Sequence, residues 1–155
     1  MNNENEKQNF TKWFVRQNSK RHPKADSRVL TFIAEFLTAT GTDLRNMETI
    51  RQLFRAGYCY YFALILKEAF PDGEVSWAAP FGHIVYVYQG IPYDIDGVYK
   101  GDVMEYIPVK YLGKAIDDFR HIPDVAYNAT EQELAKIMFD YRERQKGGKT
   151  YECQD

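Results

Sequence analysis

The sequence lacks the features of a secreted or membrane-spanning protein. It contains only two cysteines, Cys59 and Cys153, too few for a disulfide framework. No apolar run reaches the ~18 residues of a membrane span, and residues 1–9 are too polar for a signal peptide. We therefore expect a cytoplasmic protein that makes no membrane contact.

Signals for a cofactor are also missing. The chain has neither a glycine-rich phosphate loop nor a dinucleotide fingerprint. Its three histidines and two cysteines lack the spacing of zinc ligands. Asp94 and Asp96 could share a divalent cation, but two acids at a strand end are commonplace. We expect no cofactor and no metal.

Neither sign of charge dominates the chain, which carries 20 basic and 22 acidic residues. The charge is uneven, because residues 1–28 hold seven basic and three acidic residues. Such a segment could contact nucleic acid or an acidic partner, although lysine-rich termini are more often solvated tails. We expect residues 1–26 to form a basic, partly flexible arm, docked in part as a short helix through Phe10, Trp13 and Phe14.

What the sequence does contain is the composition of a folded domain, with 45% apolar and 15% aromatic residues. Helical periodicity begins at Ser27, which can cap a helix that ends at Gly41. Asp43 is the predicted cap of a second helix that ends at Gly57, and a third helix is predicted from about Tyr58. The apolar positions of the first helix are Leu30, Ile33, Ala34 and Leu37.

The periodicity changes to two after residue 73, which predicts strands. Residues 74–79 form one predicted strand. Residues 83–88 and 91–96 form a predicted hairpin around the Gln89-Gly90 turn. The fold class is therefore α+β, with helices packed on a small antiparallel sheet.

A capping box predicts the last helix. Thr130 and Glu133 have the spacing in which each side chain binds the backbone N–H of the other. Gly147-Gly148 is predicted to end this helix. Residues 27–146 would then be a single α+β domain, followed by a polar tail over 147–155.

Cys59 is the candidate nucleophile. It falls near the start of the helix predicted after Gly57, where free N–H groups and the helix dipole favour the thiolate. Cys59 also belongs to an apolar helical stripe, in which a cysteine is merely a small core residue. The other members of that stripe are Phe62, Ala63, Leu66 and Phe70. The residue alone leaves both interpretations open.

His83 is the candidate base. With Gln89-Gly90 as a two-residue turn, the strand pairing places Asp96 opposite His83, and Asp94 two residues away on the same face. Directly opposed Cβ atoms lie ~4.5–5.5 Å apart, close enough for a carboxylate to hold an imidazole N–H. Asp96 is therefore the predicted orienting partner of His83, and Asp94 is the second choice.

Packing of the Cys59 helix on that face would assemble a Cys-His-Asp triad. Cys59 would attack, His83 would carry the proton, and Asp96 would orient the imidazole. The backbone N–H of Cys59 would help to stabilise an oxyanion.

Residues 55–99 contain the runs GYCYYFALILKEAF and GHIVYVYQGIPYDIDGVY. These resemble the papain-like cysteine enzyme superfamily, and above all small phage or bacterial members of its transglutaminase-like and NlpC/P60-like branches. The resemblance implies a papain-like fold in which Cys59 is the nucleophile, His83 the base and Asp96 the third member.

The function we predict is thiol-dependent hydrolysis or acyl transfer at an amide bond of a protein or peptide, by a peptidase, deamidase or transglutaminase-like enzyme. Two alternatives remain. One is a non-catalytic protein-binding accessory factor of a phage or mobile element, since a fold does not imply a function. The other is a nucleic-acid-associated protein that uses the basic arm over residues 1–28.

Overall fold

The protein consists of helices packed on one antiparallel sheet, in a computed structural model that describes residues 4–40, 44–121 and 127–151. The helices are α1 (Glu4–Arg21), α2 (Ser27–Thr40), α3 (Leu44–Arg55), α4 (Cys59–Ala69), α5 (Asp117–Arg120) and α6 (Glu131–Tyr151). The strands are β1 (Glu74–Ala79), β2 (Ile84–Tyr88), β3 (Ile91–Asp94), β4 (Gly97–Val98) and β5 (Glu105–Pro108). This confirms the predicted α+β class. Within the described ranges, no helix has the length and apolar character to cross a membrane.

The sheet has the strand order β4-β3-β2-β1-β5, and every neighbouring pair is antiparallel. The β1 strand has its predicted bounds. In the hairpin, Tyr88 pairs with Ile91 and Tyr86 with Tyr93, which is the predicted register. The two short outer strands, β4 and β5, are absent from the sequence prediction.

The helices α2, α3, α4 and α6 start at or beside their predicted first residues. Asp26 caps α2 in place of the predicted Ser27, because the Oδ1 atom of Asp26 accepts the N–H of Arg28 at 2.8 Å. The predicted cap of α3, Asp43, lies outside the described residues.

The capping box of α6 is confirmed, since the Oγ1 atom of Thr130 accepts the N–H of Glu133 at 3.1 Å. The helix continues through Gly147-Gly148 to Tyr151, so the predicted helix end is wrong. A glycine costs a helix only about 1 kcal/mol relative to alanine, which does not by itself end it. Cys153 lies outside the described residues.

The α1 helix covers residues that the sequence assigned to a basic arm. It has 18 residues and is therefore longer than the short helix predicted there. Phe10, Phe14 and Asn18 are buried, and the helix packs mainly against α2. These contacts make α1 part of the hydrophobic core.

Asn18 joins α1 to the turn between β3 and β4. Its Nδ2 atom donates to the carbonyl of Phe14 at 3.1 Å, and its Oδ1 atom accepts the N–H of Val98 at 3.0 Å. The amide fits against Gly97, where an added Cβ would lie 2.3 Å from the Oδ1 atom of Asn18. Gly97 also has a φ of +100°, which side chains rarely adopt.

We expect Gly97→Ala to lower the free energy of unfolding by about 3 kcal/mol or more, because it combines steric overlap with backbone strain. Chemical denaturation measures this loss. Gly90→Ala is the matched control, since Gly90 also has a positive φ but no atom within 4 Å of an added Cβ. That variant should lose only about 1–2 kcal/mol. Equal losses would show that the contact with Asn18 is unimportant.

Candidate active site

Cys59 is the first residue of α4. Gly57, with a φ of +136°, separates α3 from α4 and allows the chain to reverse there. The helix cap, Tyr58, makes no side-chain cap hydrogen bond. Within the described ranges, no acceptor binds the N–H groups of Cys59 and Tyr60, which are therefore available at the helix start.

The side chain of Cys59 lies where the hydrophobic core meets a cavity. Only 6% of the residue is exposed, but it lines a cavity of about 360 Å³ together with Gly57, Gly82 and Asp118. The Sγ atom accepts the N–H of Ile84 at 3.3 Å. Cys59 is thus both a member of the core stripe and accessible from a cavity.

His83 immediately precedes β2, and its ring is held from two sides. Its Nε2 atom lies 2.9 Å from the Oδ2 atom of Asp94, and both side chains are largely buried, with 13% and 10% exposed. The ring of Tyr99 packs on the imidazole with a centroid separation of 4.9 Å. Because Nε2 contacts Asp94, Nδ1 is the ring nitrogen that can exchange a proton with Cys59.

The pKa of His83 is raised to about 9. Burial acts in the opposite direction, because it disfavours the imidazolium. Hydrogen bonding with Asp94 and with Cys59, together with their charges, outweighs burial. Cys59 and His83 are therefore neighbours, and the Sγ atom of Cys59 also accepts the N–H of Ile84, the residue that follows His83.

The predicted orienting role of Asp96 is wrong, because its carboxylate is bound by Arg55 instead. The Nε and Nη2 atoms of Arg55 each lie 2.6 Å from it. The β3 strand ends at Asp94, which pairs with Gly97, so Asp96 falls in a turn and leaves the face of the sheet. Asp94, the second choice from sequence, is the partner of His83.

The turn that contains Asp96 nevertheless fixes the carboxylate of Asp94. The backbone N–H of Asp96 donates to the Oδ1 atom of Asp94 at 2.9 Å, while the Oδ2 atom faces His83. Arg55 fixes this turn through Asp96, and it also binds Glu48 at 2.9 Å. Asp96 therefore holds the turn whose backbone binds the carboxylate of Asp94.

A second cavity lies on the imidazole side. It has a volume of about 510 Å³ and is lined by His83, Asp94, Tyr99 and other residues. Arg55 lines both this cavity and the cavity at Cys59. The described residues include no cluster of three or more histidine, cysteine or acidic side chains that could hold a metal ion.

Three features of the site were missed from the sequence. The N–H of Ile84 at the sulfur depends on how α4 packs on β2, which no periodicity reveals. Tyr99 follows β4, a strand that was not predicted. The Arg55 contact was detectable in part, because Asp96-Gly97 is a turn dipeptide and a turn would move Asp96 off the strand.

A family model described as phage YunG-like protein matches residues 37–136, about two thirds of the chain. No curated protein and no solved structure matches the chain. The matching family is a phage protein family, so the resemblance of residues 55–99 to the papain-like superfamily, in its transglutaminase-like and NlpC/P60-like branches, is wrong as an assignment of family.

Proposed function

We propose that the chain, which belongs to the phage YunG-like protein family, is a thiol-dependent hydrolase or acyl transferase that acts on an amide bond. The observation that carries the proposal is the contact chain from Cys59 through His83 to Asp94. These three residues come from α4, from the start of β2 and from the end of β3. A thiol, an imidazole and a carboxylate in this order are the groups that nucleophilic cysteine catalysis requires.

In the proposed reaction, Cys59 and His83 start as a thiolate–imidazolium pair with a proton on the Nδ1 atom of His83, and the sulfur attacks the carbonyl carbon of the amide. The oxyanion forms beside the free N–H groups of Cys59 and Tyr60. His83 then returns the proton to the leaving nitrogen as the C–N bond breaks. Water or a second amine then attacks the acyl carbon and gives a proton to His83, and the bond from carbon to sulfur breaks, which restores the thiolate–imidazolium pair.

The pKa of His83 fits this role. Because it is raised to about 9, the ring is protonated at neutral pH. A protonated imidazole beside the sulfur favours the thiolate, which is the nucleophilic form. Asp94 stabilises the imidazolium and fixes the ring so that Nε2 is occupied and Nδ1 is available.

A non-catalytic protein-binding factor of phage is the second candidate function. The family match favours it as much as it favours an enzyme, because the family description states no activity. The two candidates differ in what they require of Cys59, since only an enzyme needs a reactive thiolate. Alkylation of the thiol therefore separates them.

We expect iodoacetamide at pH 6–7 to alkylate Cys59 far faster than Cys153, because Cys59 lies at a helix start and has an imidazole beside it. His83→Asn should slow the alkylation of Cys59 by ten-fold or more, since the imidazolium that stabilises the thiolate is lost. Mass spectrometry of the modified peptides gives both rates from one sample.

His121→Asn is the matched control, since His121 lines the same cavity as Cys59, whereas His83 is the histidine that contacts Asp94. It should leave the rate unchanged. Equal rates for the two cysteines would favour the binding factor. If His121→Asn slowed the alkylation as much as His83→Asn, the assignment of His83 as the histidine that acts on Cys59 would be wrong.

A further inference from the structure

The ring of Tyr99 makes a direct contact with the base of the proposed reaction. It packs on the imidazole of His83 with a centroid separation of 4.9 Å and an angle of 37° between the two rings. Tyr99 is half-buried, and its backbone N–H donates to the carbonyl of Pro92 at 2.9 Å, which ties the residue to β3. At the other end of the ring, an added Cβ at Gly101 would overlap the phenol. The ring is therefore closely packed at both ends.

The hydroxyl group of Tyr99 makes no hydrogen bond to any residue in the described ranges. Burial raises the pKa of this phenol, and the nearby negative charges of Asp94 and Cys59 raise it further. The hydroxyl therefore keeps its proton at neutral pH. What Tyr99 presents to His83 is thus an uncharged aromatic ring.

An uncharged aromatic ring favours a charged imidazole beside it. A cation within about 6 Å of the centroid of an aromatic ring is attracted by the electrons of its face, and the attraction is stronger where water is excluded. His83 is the cation here, since its ring is protonated at neutral pH and only 13% of its side chain is exposed. The contact with Tyr99 therefore stabilises the imidazolium relative to the neutral imidazole.

We infer that Tyr99 is a positioning residue, whose aromatic ring holds the imidazolium of His83 beside Cys59. It acts together with the carboxylate of Asp94, which contacts the edge of the imidazole at Nε2. The inference rests on the proposed function, because an imidazolium beside a sulfur has a catalytic role only in an enzyme of that kind.

The test changes Tyr99 and leaves every charged group near His83 in place. Asp94 and Cys59 face the imidazole directly. The other charged residues that line the adjoining cavity are Arg21, Arg55, Asp96 and Lys100. Because no substitution at Tyr99 alters these groups, a change in the pKa of His83 reports the aromatic contact.

We expect Tyr99→Leu to lower the pKa of His83 by about half a unit or more, because leucine keeps an apolar side chain beside the imidazole but has no aromatic face. Tyr99→Phe keeps the face and loses only the hydroxyl, so the pKa of His83 should match that of the wild type. NMR titration of the His83 ring measures both values. The ring-current shift of the imidazole protons, kept in the phenylalanine variant and lost in the leucine variant, verifies the contact itself.

Tyr111→Leu is the matched control, since it removes another half-buried tyrosine, which packs on Tyr141 at a centroid separation of 5.5 Å. It should leave the pKa of His83 unchanged. Circular dichroism of each variant verifies that the fold is retained. If Tyr99→Leu does not fold, Tyr99→Met repeats the test with a second apolar side chain.

The outcomes separate this inference from the proposed function, because the titration does not use the reactivity of Cys59. Equal pKa values of His83 in Tyr99→Leu and Tyr99→Phe would overturn the inference, as would an equal fall in Tyr111→Leu. A Cys59 that is alkylated no faster than Cys153 would overturn the proposed function, and the catalytic role of Tyr99 with it. A fall confined to the variants without an aromatic ring, in a protein with a reactive Cys59, supports both.

Discussion

Replacing Asp94 with asparagine is expected to lower the pKa of His83 by two units or more, from about 9 to near its ordinary value or below it. The carboxylate is the main group that holds the proton on the buried ring. An opposite charge at hydrogen-bond distance shifts a pKa by about 1–3 units. Asparagine keeps the shape of the side chain but removes this charge, so burial then favours the neutral imidazole. NMR titration of the His83 ring measures the change.

Asp96→Asn is the matched control, because it removes the same charge from a residue two positions away. The direct bond of Asp94 to His83 remains, so the pKa of His83 should fall by less than about one unit. Alkylation of Cys59 should follow the same order, with the Asp94 variant the slower. Equal shifts in the two variants, or a larger shift for Asp96→Asn, would contradict Asp94 as the main partner of His83 and would favour Asp96, which the sequence predicted.

The second large effect is a loss of stability at alkaline pH. The pKa of His83 is raised in the folded protein to about 9, from an ordinary value of 6.5. The fold therefore binds the proton more tightly than the unfolded chain does, and this stabilisation is fully present below pH 6.5. It is lost as the pH rises through about 9. A shift of this size corresponds to about 3 kcal/mol in the free energy of unfolding.

Urea denaturation at a series of pH values from 6 to 10 measures this loss. Tyrosines and lysines also titrate near the upper end, so the informative quantity is the difference between the wild type and His83→Gln. That difference should shrink as the pH rises from 6.5 to above 9. A difference that is constant over this range would show that His83 has the same pKa in the folded and unfolded chains.

The parts of the fold that the sequence predicts are those set by local chemistry. The turn at Gln89-Gly90 fixes the register of the hairpin, because both residues have a positive φ. The capping box fixes the start of α6. The β5 strand was not predicted, because it pairs with β1 across about thirty residues and is only four residues long. Such pairing depends on tertiary packing, which single-sequence periodicity does not contain.

In the candidate site, too, the sequence predicts the features that depend on local signals and misses those that depend on tertiary packing. The positions of Cys59 at a helix start and of His83 beside a strand start were predictable because both boundaries have sequence signals. Asp96 was preferred to Asp94 because the strand pairing was extended past the true end of β3. The pairing itself is right at Tyr86–Tyr93, but the chain turns two residues later. An error of two residues in the length of a strand therefore exchanges the carboxylate that contacts His83 for one that holds the turn.

The hydrogen bond from Val98 to Asn18 has a practical consequence for experiments on the basic N-terminal segment. A deletion of residues 1–24 would be the obvious way to ask whether its lysines and arginines bind nucleic acid. The shortened chain would also lose two buried phenylalanines and the amide that supports the turn beside Asp94. Any loss of binding would then be confounded by loss of folding. Neutralising exposed residues such as Lys12 and Lys20 one by one keeps these internal contacts and isolates the effect of charge.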